Sequence, residues 1–387
     1  MKFVHLSDLH IGKYVNGFSM IGDQKYILWE ILRILEAECP DAVLIAGDIY
    51  DKSVPSAEAV GLFDAFLWRL SKLSSRVFVI SGNHDSPERL SFGSRLMDQS
   101  GVYLSPVYNG TAEMIECRDA IGPVRFYLLP FLKPAAVRAA FPDQEIRDYT
   151  DALRIAVDAM QVEKKDDSVR NVLLSHQFVT GAERAESEEL SIGGLDNVDA
   201  SVFAGFDYVA LGHLHRPQTV GGPAGTVIRY CGTPLRYSFS ECRDHKSLTL
   251  VELGEKGAAE IRTIPLIPLH ELRELRGSYM ELTAKENYAG TKTEDYLHIT
   301  LTDEFDVPDA IGKLRVIYPN LMKLDYDNTR TRAQGELPEF SAQRMRKQTP
   351  EELFAAFYET QNGQPMTDTQ RTYLLELLER VSEPEGM

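Results

Sequence analysis

Five short segments of this chain carry side chains of the kind that hold divalent cations. They are Asp8-Leu9-His10, Gly47-Asp48-Ile49-Tyr50-Asp51, Gly82-Asn83-His84-Asp85, the single His176, and Gly212-His213-Leu214-His215. Imidazole, carboxylate and amide oxygen without thiolate suit Mn²⁺ or a similar borderline-to-hard ion. Two such ions about 3.5–4 Å apart can clamp a phosphate and activate a water between them. One carboxylate has to bridge the pair, and Asp48 is central in the series. The neighbouring glycines let the backbone turn sharply.

Taken singly, each segment has an ordinary structural explanation. D-x-H arises by chance, G-D-x-x-D fits a solvated turn, and N-H-D fits the start of a helix near Pro87. A lone histidine such as His176 is usually a satisfied core residue, and H-x-H fits one face of an edge strand. Jointly those explanations fail, because each segment closes a predicted strand. Five of the nine histidines fall inside them. In open α/β sheets the carboxyl ends of neighbouring strands converge on one crevice, so segments far apart in sequence can build one site.

The elements that must position these residues follow from hydrophobic periodicity. Phe3–Leu6, Ala42–Ala46 and Val77–Ile80 are predicted strands. Gln24–Glu38 is a predicted helix with Ile27, Leu28, Ile31, Leu32 and Leu35 on one side. Pro55–Leu73 is a second, with Pro55 in its first turn. The resulting βαβαβ order implies a largely parallel sheet. Later strands over Val124–Leu129, Val172–Leu174, Tyr208–Leu211, Val227–Cys231 and Ser247–Glu252 imply a second sheet packed on the first, with helices outside. The texture changes near Ile264–Pro268. Strand, helix and strand then follow over Tyr296–Leu301, Pro308–Val316 and Leu321–Tyr326. The expected architecture is α/β: a two-sheet sandwich over residues 1–268, a small α+β domain over 269–336, and a linker with a helical pair over 337–387.

Composition sets further bounds. At 387 residues with 43% hydrophobic content, more than one domain is expected. No apolar run is long enough to span a bilayer, and no cationic, apolar and small-residue series marks an export signal, so a cytoplasmic location is expected. Cys39, Cys117, Cys231 and Cys242 form no C-x-x-C pair, which predicts four reduced thiols. The net charge of −17 argues against a nucleic-acid binder on bulk electrostatics. A carboxylate cluster, however, is charged to hold cations, and those cations can hold phosphate.

In this order the five segments resemble the motifs of the calcineurin-like metallophosphoesterases. The tracts Val4–Gly12, Gly47–Asp51, Tyr208–Arg216, Tyr230–Pro234 and Ser238–Glu241 narrow the resemblance to the SbcD family, the nuclease subunits of bacterial SbcCD complexes. It covers nearly the whole chain and is strongest over residues 1–250. The resemblance implies one ion on Asp8, His10, Asp48 and His215, and a second on Asp48, Asn83, His176 and His213. It makes His84 the acid that assists the leaving oxygen, oriented by Asp85. Asp51 stands where archaeal and eukaryotic relatives carry histidine. The resemblance further implies a Mn²⁺-favouring nuclease that cuts single-stranded DNA and degrades duplex ends, works on DNA ends and hairpins beside the nucleoid, and assembles two-plus-two with the SbcC ATPase. The small domain would cap the site and steer DNA.

Two rivals share the motifs. One is a calcineurin-like phosphodiesterase or phosphatase with a non-DNA substrate, against which the extra C-terminal 120 or so residues stand. The other is a scaffold, which would have lost ligands, whereas every ligand position here is filled. In the tail, Thr349-Pro350-Glu351-Glu352 and Thr367 with Gln370 read as helix starts. Leu353, Phe354, Phe357 and Tyr358, then Tyr373, Leu374, Leu377, Leu378 and Val381, form two apolar stripes. They either fold back on the small domain or await a partner, which the resemblance names as the base of the SbcC coiled coil.

Overall fold

The computed structural model describes residues 1–162, 168–183, 197–329, 331, 350–362 and 365–382. The chain divides into two compact units, Met1–Arg273 and Glu274–Met387.

The first unit is built on two six-stranded sheets. One has the strand order Ala259–Pro265, Ser247–Leu253, Lys2–Leu6, Ala42–Ala46, Arg76–Ile80, Val102–Leu104. The last four of these are parallel, as the βαβαβ reading requires. The second has the order Gln218–Val220, Val227–Tyr230, Tyr208–Gly212, Arg170–His176, Pro123–Leu128, Glu113–Arg118. Its four inner strands are parallel and its two edges antiparallel. Central strands such as Ala42–Ala46 and Tyr208–Gly212 are buried throughout. That is why they read as continuous apolar runs rather than alternating ones.

The sheets pack face to face. Phe3, Ala42, Leu44, Ala46, Phe78 and Ile80 of the first meet Val124, Phe126, Leu128, Val172, Leu174, Tyr208 and Ala210 of the second. The period-two spacing within each strand is what aims one face of each sheet at this core. A second core lies between the other face of the second sheet and the helices Pro134–Ala140 and Tyr149–Met160. The helix Ile21–Glu38 buries Ile27, Leu28, Ile31, Leu32 and Leu35, the stripe read from its sequence.

Three expectations need correction. The strand Ser247–Leu253 joins the first sheet, not the second, pairing antiparallel with Lys2–Leu6. Chain position said nothing about this return, because the strand is placed by non-local pairing. The second helix runs Ala57–Leu70, capped by Ser56, whose side chain accepts from Ala59 N. Pro55 therefore precedes the cap instead of lying in the first turn. The edge strands Val102–Leu104, Glu113–Arg118, Gln218–Val220 and Ala259–Pro265 lie outside the expected elements, since edges carry weak patterning.

In the second unit a three-stranded sheet of order Leu272–Gly277, Tyr296–Leu301, Leu321–Tyr326 packs on the helix Ala310–Arg315. Leu297, Ile299, Leu301, Leu314, Tyr318 and Leu321 form its core. Two helices follow, Pro350–Asn362 and Asp368–Ser382. The Thr367–Gln370 start is realised as reciprocal capping: Thr367 N donates to Gln370 Oε1 at 2.9 Å, and Gln370 N to Thr367 Oγ1 at 3.4 Å. The expected cap at Thr349 and most of the expected linker, 332–348, lie outside the described residues.

Candidate metal centre

All five ligand-bearing segments meet at one end of the two-sheet sandwich. Asp8, Asp48, Asn83 and His84 follow the ends of three parallel strands of the first sheet. His176 ends one strand of the second sheet, and His213 and His215 follow its neighbour.

The turns that carry them are strained. Asp8, His10, Asp48 and His213 have φ of 53°, 45°, 50° and 103°. Left-handed backbone costs a non-glycine residue on the order of 1–3 kcal/mol and persists only where its surroundings fix it. Here two loops fix each other. Asp8 N donates to Gly47 O at 3.0 Å, His10 N to Asp48 O at 3.0 Å, and Ile11 N to Ile49 O at 2.9 Å. From the other side, Gln24 Nε2 donates to His10 O at 2.7 Å and Tyr237 Oη to Leu9 O at 2.6 Å.

Two glycines are demanded by close approach rather than by φ. A Cβ on Gly82 would lie 2.1 Å from Asp48 Oδ1, and one on Gly212 would lie 2.0 Å from Ala46 O and 2.6 Å from His176 Nδ1. The second contact bridges the sheets, so the absence of a side chain at 212 lets the two strand ends come together.

Asp48 is the hub. Its Oδ2 faces three imidazoles: His176 Nε2 at 3.3 Å, His10 Nε2 at 3.8 Å and His84 Nε2 at 4.0 Å. Its Oδ1 accepts from His84 N at 2.9 Å. Asn83 Oδ1 lies 3.0 Å from both His176 Nε2 and His213 Nδ1. The Asp8 carboxylate accepts from His213 N at 3.0 and 3.2 Å and from the Ser7 hydroxyl. Three groupings bring ligand atoms within 4.8 Å of one another: Asp8, His10 and His215; His10, Asp48 and His84; Asp8, Asp48 and His176.

The electrostatics are those of a cation site. Burial raises the Asp8 carboxyl, and the Asp48 charge adds to this. Burial would also raise Asp48, but His176, His10 and His84 outweigh it and hold Asp48 below the usual carboxylate range. Burial works to lower His176, yet the Asp48 carboxylate lifts it to about 9. Burial drives His10 well below its ordinary value. Both ring nitrogens of His10 are buried and, among the described residues, have no hydrogen-bond partner. A buried polar atom without a partner is rare and costly. Divalent cations fit this donor set: they would satisfy His10 and neutralise the paired Asp8 and Asp48.

His84 and Asp85 behave differently from the ligand set. The His84 side chain is 21% exposed against 2% for His10. Its Nδ1 lies 3.0 Å from Asp51 O, so the Asp51 carbonyl orients the ring. Asp85 was expected to do so, but its carboxylate instead accepts from Ile49 N, Tyr50 N and Gly82 N at 2.9–3.1 Å. Burial and the Asp48 charge raise it to about 6 against those bonds. Asp85 thus ties two site loops together. The Asp51 side chain pairs with Lys13 Nζ at 2.7 Å and stands 3.8 Å from His10 Nδ1.

Residues behind the ligands were not legible in sequence. Nothing marks Gln24 between Asp23 and Lys25, and Tyr237 and Glu241 lie beside and in the Ser238–Glu241 tract, which carried the resemblance but no role. Glu241, fully buried, lies 3.3 Å from His215 Nδ1, and Lys246 Nζ donates to it at 2.6 Å. No spacing rule links positions 215, 241 and 246.

Comparison with known proteins bears on this centre. Residues 1–217 match the family model for calcineurin-like phosphoesterases. Residues 268–362 match a model described as the type 5 capsule protein repressor C-terminal domain. A protein of Staphylococcus epidermidis, named as the SbcD component of the nuclease SbcCD, is 33% identical over 391 residues, covering 100% of both chains. Its namesake in Staphylococcus saprophyticus subsp. saprophyticus is 36% identical over 84% of each. Among solved structures, a dimetal phosphatase from Danio rerio is 13% identical, with a TM-score of 0.39 over 69% of this chain and 99% of that one.

Proposed function

The chain belongs to the calcineurin-like phosphoesterases and, among them, to the SbcD family of nuclease subunits, and from that premise we propose that it is the Mn²⁺-dependent DNA-cutting component of an SbcCD-type complex. It is a metal-dependent phosphodiesterase. We assign it single-strand endonuclease and duplex exonuclease activity on DNA ends and hairpins, in repair, recombination and replication. The observation that carries the catalytic half is the buried Asp48 hub with His10 beside it, both His10 ring nitrogens lacking a hydrogen-bond partner among the described residues. The DNA substrate rests on similarity along the whole length of the S. epidermidis nuclease component.

In this reading Asp8, His10, Asp48 and His215 hold one ion, and Asp48, Asn83, His176 and His213 the other. When bound, the two ions supply charge neutralisation for the phosphate and an activated water. The protein's own part is to orient and to move protons. The Asp51 carbonyl accepts Nδ1–H of His84, which turns Nε2 toward the centre. Protonated at both nitrogens, His84 can pass the Nε2 proton to the leaving oxygen. The paired loops keep the ligand turns in their strained form before substrate arrives.

The remaining assignments are of the same kind. Residues 1–268 form the nuclease domain, 269–336 the capping domain that steers DNA, and 337–387 the module that binds the SbcC ATPase. Phe354, Phe357, Tyr373 and Leu377 of the terminal helices are exposed, which supports a partner-binding role. A homodimer within a two-plus-two complex needs an apolar face. Val60 and Phe92, both exposed and lining one cavity with Tyr50 and Phe63, support one. The described residues contain no helix long and apolar enough to cross a membrane. We place the protein in the cytoplasm, beside the nucleoid.

The test is to offer single-stranded DNA, a cyclic nucleotide and a phosphopeptide side by side, with Mn²⁺. DNA should be cut and the others left intact. Turnover of the phosphopeptide or cyclic nucleotide alone would reassign the substrate while keeping the metal chemistry.

A further inference from the structure

The ligands of the centre are not supported alike. His176 turns its Nδ1 to a neutral acceptor, the Ala46 carbonyl, at 2.8 Å. His215 turns its Nδ1 to an anion, Glu241 Oε1, at 3.3 Å. Glu241 is completely buried, and a buried carboxylate is tolerated only when paired. Lys246, also buried, donates from Nζ to Glu241 Oε2 at 2.6 Å and to the His215 carbonyl at 2.9 Å. The same carbonyl accepts from Thr233 N at 3.1 Å. Both ends of His215 are therefore held by one buried ion pair.

We propose that Glu241 is a positioning residue for His215, with Lys246 as its counter-charge. The carboxylate accepts a hydrogen bond from Nδ1–H, which fixes the tautomer and would leave Nε2 as a lone-pair donor toward Asp8 and His10. The ion on the Asp8, His10 and His215 side then depends on Glu241, and the ion on the His176 side does not. This rests on the two-metal reading of the centre.

Mn²⁺ binding to the full chain, followed by titration calorimetry and by the electron-spin signal of free Mn²⁺, tests it without DNA. The wild type should bind two ions. Glu241→Gln keeps the shape but removes the charge, and should weaken one of the two sites by roughly 10–100-fold. It also leaves Lys246 buried without its carboxylate, so a purely structural loss must be separated. The double variant Glu241→Gln/Lys246→Met removes both charges. It should recover most of the thermal stability lost in the single variant while its one weak site stays weak. Two sites of wild-type affinity in the double variant would overturn the proposal and make Glu241 only the partner of Lys246. So would both sites weakening equally. A wild type that binds no Mn²⁺ would instead bring down the two-metal reading, and the positioning role with it.

Discussion

At the residue scale, the proposed roles separate groups that would hold a cation from one, His84, that would move a proton. His84 lies 4.0 Å from Asp48 Oδ2, close to the 3.8 Å of His10, yet it is partly exposed where His10 is enclosed. His84→Ala should keep near-normal Mn²⁺ content and lose turnover by on the order of 10²–10⁴-fold, the usual range for a general acid. Metal analysis beside single-turnover cutting checks this. A variant recovered with half its metal would make His84 a ligand. The types and spacing of the ligand residues were legible because each motif sits at the end of an apolar run. Their supports were not. Asp85 lies beside His84 in sequence, and the orienting role that the resemblance implied for it is not one its three backbone hydrogen bonds serve.

At the element scale, the centre depends on how closely two sheets approach. Gly212 ends a strand of one sheet and faces the Ala46 carbonyl of the other. Gly212→Ala would force the strand ends apart, because a Cβ 2.0 Å from a backbone oxygen cannot be relieved by a side-chain rotation. A cost of about 1–3 kcal/mol is expected from such overpacking, with a larger loss in metal affinity as His176 is displaced. Thermal melting and Mn²⁺ titration together read both. A second tie lies at the opposite end of the strands. Arg170, fully buried, donates to Asp119, to Gly122 O, and across to Leu253 O and Gly254 O of the first sheet. Its guanidinium holds the Asp119 carboxyl below the usual range, although burial acts the other way. A carboxyl with a lowered folded-state value adds stability above its unfolded value and loses it as pH falls toward the folded one. Melting temperature should therefore drop on acidification below about pH 4, and Arg170→Met should flatten part of that drop. An unchanged acid profile in the variant would remove this pair from the account of stability. The parallel core strands were legible because burial on both faces leaves unbroken apolar runs. The return of Ser247–Leu253 to the first sheet was not, since it is fixed by pairing with a strand about 245 residues earlier, beyond any local pattern.

At the scale of the whole molecule, the proposed function would have a chain of net charge −17 hold a polyanion. The metal centre offers one answer, since bound cations reverse the local sign. The isolated chain should bind DNA weakly, and affinity should fall steeply with added salt, as a fluorescence-anisotropy titration at several salt concentrations would show. Tight, salt-independent binding by metal-free protein would contradict this. The terminal helices raise a separate question of assembly. They touch each other through Gln370 Nε2 to Tyr358 Oη and Arg371 Nε to Glu351, both at 2.8 Å, yet Phe357 and Tyr373 are 60% and 63% exposed. A chain ending near Pro338 should keep cutting single-stranded DNA and fail to co-purify with SbcC. Full-strength co-purification of the shortened chain would move that interface elsewhere.

The two-metal centre stands or falls on Asp48, whose one carboxylate oxygen faces three imidazoles. The decisive measurement is Mn²⁺ stoichiometry and single-stranded DNA cutting on the same preparations of wild type and Asp48→Ala. The wild type should carry two ions and cut. The variant should stay folded, because position 48 lies in a loop beyond a strand end, while losing both ions and its activity. A variant that keeps bound Mn²⁺ and cuts normally would contradict the bridging carboxylate and the mechanism built on it.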